Sequence, residues 1–200
     1  MSDQLLDIQM SYLKELYDQL SEDLEQALPA IREKDRFHFK AFGEPCILSP
    51  QGITLGKQKL GGPKGILIAL YARHAKNEPL QPRPLKSYKQ IKGSMPYQGA
   101  FTVHSEKSLG PYVSRIQSAK DRVMAAFDGH ENEDGKGDLS FTLYPLPKVP
   151  LYYNFYLADE EFPASVTCLF AANAEVFMSV DGLADVAEYT AKKIIEIVTD

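Results

Sequence analysis

The stretch SFTLYPLPKVPLYYNFYLADEEFPASVTCLF, residues 140–170, is the longest run of strand-forming residues in the chain. Side chains alternate between the two faces of a strand. Over residues 149–157, one face is wholly apolar and consists of Val149, Leu151, Tyr153, Phe155 and Leu157. The other face carries Tyr152, Asn154 and Tyr156. We expect the apolar face to lie on the core and the tyrosine-rich face to be half covered, with hydroxyls that reach water or a ligand.

Both sides of this central segment contain further apolar runs. Residues 141–146 are predicted to form a partner strand, and residues 166–170 form another apolar run. Proline cannot donate a ladder hydrogen bond, so Pro145 and Pro147 place the first of these runs at a sheet edge or in an extended crossing. Three adjacent carboxylates, residues 159–161, interrupt the apolar pattern between the central segment and the last run.

The rest of the chain has two kinds of pattern. Apolar residues at helical spacing predict helices over residues 3–20, 22–28, 63–75, 105–128 (split by Gly110–Pro111) and 182–200. Alternating residues separated by glycine and proline turns predict a meander of short antiparallel strands over residues 36–55. The polar, glycine-rich residues 128–138 are predicted to form an exposed connector. The fold class is therefore α+β, with an antiparallel sheet packed by the amino-terminal and carboxy-terminal helices in one domain, residues 1–200.

Composition and charge argue against several classes of protein. The chain has 200 residues, of which 44% are hydrophobic and 24% are charged, and this balance is typical of a globular domain with its own core. A net charge of −5 argues against a nucleic-acid binder. There is no signal-peptide pattern, and no apolar run approaches the ~20 residues of a membrane span. We expect a cytoplasmic protein that binds neither nucleic acid nor membrane.

The potential metal ligands of the sequence are scattered. The chain has two cysteines, Cys46 and Cys168, which stand far apart and outside any CxxC pattern, and four histidines without the i, i+4 helical spacing of metal ligands. Zinc sites and iron–sulfur clusters need several such ligands close together. The sequence therefore predicts no metal and no cofactor, and it predicts that both thiols are buried.

One candidate site combines a loop, a strand face and the acidic cluster. Residues 77–99 are rich in proline, glycine, basic residues and tyrosine, including Tyr97, and long loops without regular structure often have a function. We predict a ligand pocket formed by Tyr97, Tyr152, Tyr156, Asp159, Glu160 and Glu161. The carboxylates could serve as a general acid and base or bind a divalent cation. They could also cap the turn that follows, or clamp the loop through ion pairs.

Five segments, in this order, resemble domain-of-unknown-function family 3786 of bacteria and archaea. They are FGEPCILSPQG (42–52), GILIALYA (65–72), LKSYKQIKGSMPYQGAF (85–101), GDLSFTLYPLPKVPLYY (137–153) and DEEFPASVTCLF (159–170). Ala171 stands where the family pattern has an aspartate. The resemblance implies a setting in anaerobic metabolism, in organisms with corrinoid and one-carbon chemistry, and some relatives carry an iron–sulfur module in front of this domain. It implies no catalytic residue.

The sequence leaves three classes of function open. We expect a non-enzymatic binding or accessory protein of anaerobic metabolism, linked to corrinoid or iron–sulfur proteins, with a small-molecule ligand or a protein partner. The first alternative is a small-molecule hydrolase or transferase that uses the acidic cluster at residues 159–161. The second alternative is a protein–protein interaction module. A pocket with perturbed carboxylates would favour an enzyme, whereas an open apolar patch would favour the interaction module.

Overall fold

The computed structural model describes residues 2–200 of the chain and the side chains from Gln4 onward. The α-helices are α1 (Ser2–Asp18), α2 (Leu24–Ala27), α3 (Pro63–His74), α4 (Gln98–Phe101), α5 (Val113–Ser118), α6 (Lys120–Ala126) and α7 (Val180–Thr199). Within residues 2–200, every helix is too short or too polar to cross a membrane.

Most of the strands lie in two parts of the sequence, residues 31–60 and residues 139–170. The strands are β1 (Ile31–Glu33), β2 (Arg36–Ala41), β3 (Glu44–Ser49), β4 (Gly52–Leu55), β5 (Gln58–Leu60), β6 (Lys86–Ser87), β7 (His130–Glu131), β8 (Leu139–Leu146), β9 (Val149–Tyr156) and β10 (Ser165–Phe170). Alternation along β2 buries Phe37, Phe39 and Ala41, as the sequence predicted.

These strands form two antiparallel sheets. The first pairs β1 to β5 in chain order, and the second has the order β6-β10-β9-β8-β7, so β9 is central. The α+β prediction, with helices at both ends of the chain, is confirmed, but two sheets replace the expected single one. Gly43, with a φ of 80°, turns β2 back onto β3 and keeps the pairing of the meander local. One backbone hydrogen bond, from Phe42 N–H to the Pro145 carbonyl at 2.7 Å, links the two sheets.

The core lies on the buried faces of both sheets and under the helices. Phe155 of β9 is fully buried and packs on Phe141, with ring centroids 4.8 Å apart. Leu157 is only partly buried because β9 ends at Tyr156, so its predicted place in the core is only partly right. The carboxy-terminal helix α7 buries its apolar stripe, including Leu183, as predicted from its spacing. The amino-terminal helix α1 packs on α3 and β4.

The predicted helix over residues 105–128 is wrong in its continuity. A π-helical turn, Thr102–Glu106, is followed by a 3-10 segment, Lys107–Tyr112, and then by the separate helices α5 and α6. Pro111 lies inside the 3-10 segment, where its ring and its missing N–H oppose regular α-helical bonding. The break between α5 and α6 at Ala119 has no proline or glycine to signal it.

Candidate ligand-binding cleft

The outer face of the second sheet forms the floor of a cleft of about 600 Å³. Because side chains alternate, β9 turns Tyr152 and Asn154 to this face and the residues between them to the core. Ser140 of β8 lies directly opposite Asn154, and on the other side of β9, Leu169 of β10 lies opposite Tyr152. The floor therefore combines an aromatic ring, an amide, a hydroxyl and one apolar side chain.

Two loops form the walls of the cleft. One wall comes from the loop before β6 and consists of Arg83, Pro84 and Leu85. The other comes from the loop between β7 and β8 and consists of Asn132, Asp134, Gly135 and Lys136. Residues 128–138 are largely exposed, as predicted, but they contain the short strand β7 and also form this wall of the cleft. The Asn132 N–H donates to the Ser140 carbonyl at 3.1 Å and folds this loop back over the sheet.

A network of polar side chains fixes the floor. The Thr142 hydroxyl donates to Asn132 Oδ1 at 2.7 Å, and Asn132 Nδ2 donates to Ser140 Oγ at 3.0 Å. Asn154 Oδ1 lies 2.9 Å from Ser140 Oγ and accepts the Lys136 N–H at 3.0 Å. These contacts fix the orientation of the Asn154 amide. Its Nδ2 group is therefore the part of the side chain that can donate to a ligand.

An ion pair joins the two walls. Arg83 Nη2 lies 2.6 Å from Asp134 Oδ1 and 2.5 Å from Asp134 Oδ2. Both side chains are largely exposed, at 57% and 69%, so water competes with this pair and its contribution to stability is small. Breaking this pair would therefore cost little.

The chain segment after β10 holds the 77–99 loop in place. Asn173 Oδ1 accepts the Gln81 N–H at 2.9 Å, and Asn173 Nδ2 donates to the Pro79 carbonyl at 3.0 Å. Glu175 pairs with Lys86 at 2.9 Å. The loop is thus anchored by side chains from residues 173–175, in addition to its ion pair across the cleft.

Tyr152 is a hydrogen-bond donor on the cleft floor. Burial raises the pKa of its hydroxyl to about 12, Tyr144 acts in the same direction, and the nearby Arg83 guanidinium lowers the pKa. The hydroxyl is therefore protonated at neutral pH. A ligand in the cleft meets a neutral phenol rather than a phenolate.

The other two predicted site tyrosines lie elsewhere. Tyr156 is partly buried at the end of β9, where its ring lies beside Gly137. Tyr97 precedes α4 and is 43% exposed. The lining of the cleft includes neither of them, so among the three predicted tyrosines only Tyr152 faces it.

The predicted acidic cluster forms a turn between β9 and β10. Asp159 Oδ1 accepts the N–H groups of Glu161 and Phe162 at 2.9 and 2.7 Å. These bonds hold the pKa of the Asp159 carboxyl below its usual range. Glu160 and Glu161 are exposed. This geometry is that of a carboxylate that stabilises its own turn, and the lining of the cleft does not include the three residues.

The possible metal ligands also remain apart in the folded chain. Over residues 2–200, the structure contains no group of three or more histidine, cysteine, aspartate or glutamate side chains that could hold a metal ion. Cys46 and Cys168 are buried free thiols.

Comparison with known proteins gives one match. The family model described as a domain of unknown function (DUF3786) matches residues 21–193. The chain belongs to this family. The matched DUF3786 region includes the floor and both walls of the cleft. No curated protein and no solved structure matches the chain significantly.

Several cleft residues of this DUF3786 domain were missed by the sequence analysis. Asn132, Asp134 and Ser140 were not predicted as site residues, and Asn154 was placed on the correct strand face without a role. The face shared by Asn154 and Tyr152 was a usable signal. The positions of Asn132 and Asp134 depend on how the loop folds back, for which the sequence pattern gave no signal.

Proposed function

We propose that this protein is a non-enzymatic binding or accessory protein of anaerobic metabolism that holds a small molecule bearing a carboxylate or carbonyl group in the cleft. The observation that carries the proposal is the set of donors that line one cavity. They are the Tyr152 hydroxyl, Asn154 Nδ2 and the Arg83 guanidinium. Acceptor oxygens on a ligand satisfy such donors, and a few polar groups on a partly apolar wall are typical of ligand pockets.

The Arg83–Asp134 ion pair suits this ligand class. A ligand carboxylate can take the place of the Asp134 carboxylate, both of whose oxygens accept from Arg83 Nη2 in the absence of ligand. Because an exposed ion pair contributes only about 0–1 kcal/mol, the exchange costs little. Binding would then release Asp134 and open one wall of the cleft.

The chemistry of the lining favours binding over catalysis. The described lining contains neither histidine nor cysteine, and its single carboxylate, Asp134, is paired with Arg83. The Ser140 hydroxyl is engaged with the Tyr153 carbonyl and Asn154 Oδ1 and has no adjacent base. A hydrolase or transferase based on residues 159–161 has less support, because the Asp159 carboxylate is engaged within its own turn.

The metabolic part of the proposal has a different basis. A link to anaerobic, corrinoid or iron–sulfur metabolism is supported by the family resemblance alone, whereas the ligand class is supported by the cleft.

Thermal melts with a panel of small probes test the ligand class. The panel contains benzoate, benzamide and benzyl alcohol, which share a ring and differ in their polar group. A probe at about 100 times its Kd stabilises the protein by about 2.7 kcal/mol, which raises the Tm of a chain of this size by roughly 5–10 °C. We expect benzoate or benzamide to raise the Tm and benzyl alcohol to have a smaller effect.

Two matched variants assign the effect to the cleft. Arg83→Gln and Tyr152→Phe remove one donor each and should reduce the benzoate-induced rise in Tm. Arg115→Gln, a change at an exposed arginine of α5, should leave it intact. A panel without effect, or a benzoate effect that persists in both cleft variants, would contradict the proposal.

An interaction module remains the second candidate, favoured by one surface feature. Met95, Tyr97 and Val103 expose apolar side chains within one short stretch, at 76%, 43% and 50%. Sedimentation over a range of protein concentrations tests whether this stretch mediates self-association. Association that is lost in Met95→Ser and Val103→Ser would favour this candidate, and a monomer at all concentrations would count against self-association.

A further inference from the structure

A second cleft, of about 690 Å³, lies beside the turn that carries the acidic cluster. Its principal lining residues are Glu106, Gly110 and Pro111 on one side and Pro163, Ala164 and Val166 on the other. This cleft is separate from the candidate ligand-binding cleft and shares no lining residue with it. Its walls are largely apolar, and Glu106 is the carboxylate among them.

Glu106 is held in place at the end of the π-helical turn. Its Oε1 accepts the backbone N–H of Cys168 at 3.1 Å, which ties the turn to β10. Burial raises the pKa of the Glu106 carboxyl, while the Cys168 amide and the Thr102 hydroxyl lower it. Among the ion pairs of the described residues, none involves Glu106. The carboxylate has therefore lost part of its hydration without gaining a counter-ion.

An acidic stretch of chain adjoins the rim of this cleft. Ala158 and Pro163 line it, and the exposed carboxylates of residues 159–161 lie between them in the chain. The Asp159 carboxyl has a lowered pKa because two backbone amides bind it, so it is ionised at neutral pH. Lys107 also lines the cleft, with an exposed side chain. The three carboxylates between Ala158 and Pro163, together with Glu106 of the lining, outnumber that single ammonium and favour positively charged ligands.

We propose that this second cleft binds small molecules that carry a primary ammonium group on an apolar body, with the ammonium against Glu106 and the body between Pro111 and Val166. An ammonium donates to the carboxylate and supplies the counter-ion that the protein lacks there. A neutral molecule of the same shape gains only the apolar contact, and an anionic one is repelled by both Glu106 and the acidic stretch beside the rim.

The backbone around Glu106 fits a binding role. A π-helical turn is wider than an α-helical one and is frequently found at functional sites. Here the turn spans Thr102–Glu106 and contributes both Thr102 and Glu106 to the lining. It contributes the only carboxylate of the described lining, and β10 contributes Val166 to the same cleft, so the apolar part of a ligand can lie between these two elements.

The test is a titration of the 15N-labelled protein with benzylammonium, followed by the amide NMR signals, with benzyl alcohol as the neutral probe of matched shape. We expect benzylammonium to give saturable shifts at Val166 and Cys168. Benzyl alcohol should bind at least about tenfold more weakly, because it lacks the charge-assisted contact. Equal affinity for the two probes, or no saturable shift with benzylammonium, would overturn the proposal.

Two variants assign the binding to this cleft. Glu106→Gln keeps the shape and the acceptor for Cys168 N–H, and it should weaken benzylammonium binding at least about tenfold. Glu22→Gln, the same chemical change at an exposed position, should leave binding unaltered. Ser165→Trp, at an exposed lining position, fills the cleft and should abolish the shifts even if Glu106→Gln proves unstable. Binding that is unchanged in Glu106→Gln or in Ser165→Trp would refute the assignment.

Discussion

Tyr152 combines two properties at the level of a single residue. It belongs to the strand that crosses the middle of the second sheet, and its hydroxyl group faces the cleft. Its side chain therefore contributes to stability as well as to the proposed binding of a ligand. The contribution of the hydroxyl group to stability can be measured through its dependence on pH.

We expect the Tyr152 hydroxyl to make stability depend on pH in the alkaline range. Burial raises the pKa of this hydroxyl in the folded protein to about 12, against about 10 in an unfolded chain. The folded state therefore holds the proton more tightly. The resulting stability is fully present below about pH 10 and is lost as the pH rises towards about 12. Urea unfolding at several pH values should show a smaller alkaline loss in Tyr152→Phe than in the wild type, and parallel pH profiles would contradict this.

Phe155 and Leu157 differ in how deeply they lie in the core. Phe155 is fully buried and Leu157 is only partly buried. We expect Phe155→Ala to lower the free energy of unfolding by ~3–5 kcal/mol, the cost of a large core cavity. Leu157→Ala should cost less because water already reaches its site. Urea denaturation of both variants gives the comparison, and an unchanged midpoint for Phe155→Ala would show that β9 is not the central strand of the fold.

At the level of elements, the anchoring of the 77–99 loop leads to a prediction about its mobility. We expect Asn173→Ala to increase cleavage of this loop by protease, because it removes the hydrogen bonds to Pro79 and Gln81. Asp134→Asn should increase cleavage to a smaller degree, since the exposed Arg83–Asp134 pair is weak. Global stability should change little in either variant, since the core is untouched.

Variants of the acidic cluster serve as the control for this experiment. Glu160→Gln and Glu161→Gln remove exposed charges. Among the described residues, the ion pairs of the 77–99 loop are formed with Asp134 and Glu175 and not with these two glutamates. Limited proteolysis should find the loop as resistant as in the wild type. Greater cleavage in these two variants than in Asn173→Ala would mean that the acidic cluster, rather than residues 173–175, anchors the loop.

The elements also show which features the sequence could predict. Strands β2 to β4 and β8 to β10, and helices α1, α3 and α7, follow from alternating or helical spacing and from their runs of apolar residues, although β9 is buried on both of its faces. The acidic cluster was a conspicuous local signal, and its Asp159 proves to bind its own turn. The cleft depends on contacts between distant parts of the chain, such as Arg83 with Asp134. Local patterns contain no information about such contacts, so the wall formed by residues 132–136 was missed, whereas the other wall lies in the loop that was predicted to be functional.

At the scale of the whole molecule, the two sheets share one hydrophobic core. Buried residues of the first sheet, such as Phe37, belong to the same cluster as Phe155 of the second sheet and Leu183 of α7. We therefore expect a single cooperative unfolding transition. Far-ultraviolet circular dichroism, which follows the backbone, and tyrosine fluorescence should give the same midpoint in urea. Two separated midpoints would show that the sheets belong to independent folding units.

The alternation along β9 also limits how the gene for this protein can change. Deleting one codon within this strand would shift every later side chain to the opposite face, so that Tyr153 or Phe155 would face the cleft and a polar neighbour would face the core. The wall around Asn132 and Gly135 is a loop between two strands. Codons can be added or lost there while the strands keep their register. Descendants of this gene can thus acquire a new rim by insertion or deletion, whereas a new floor must arise by substitution, one amino acid at a time.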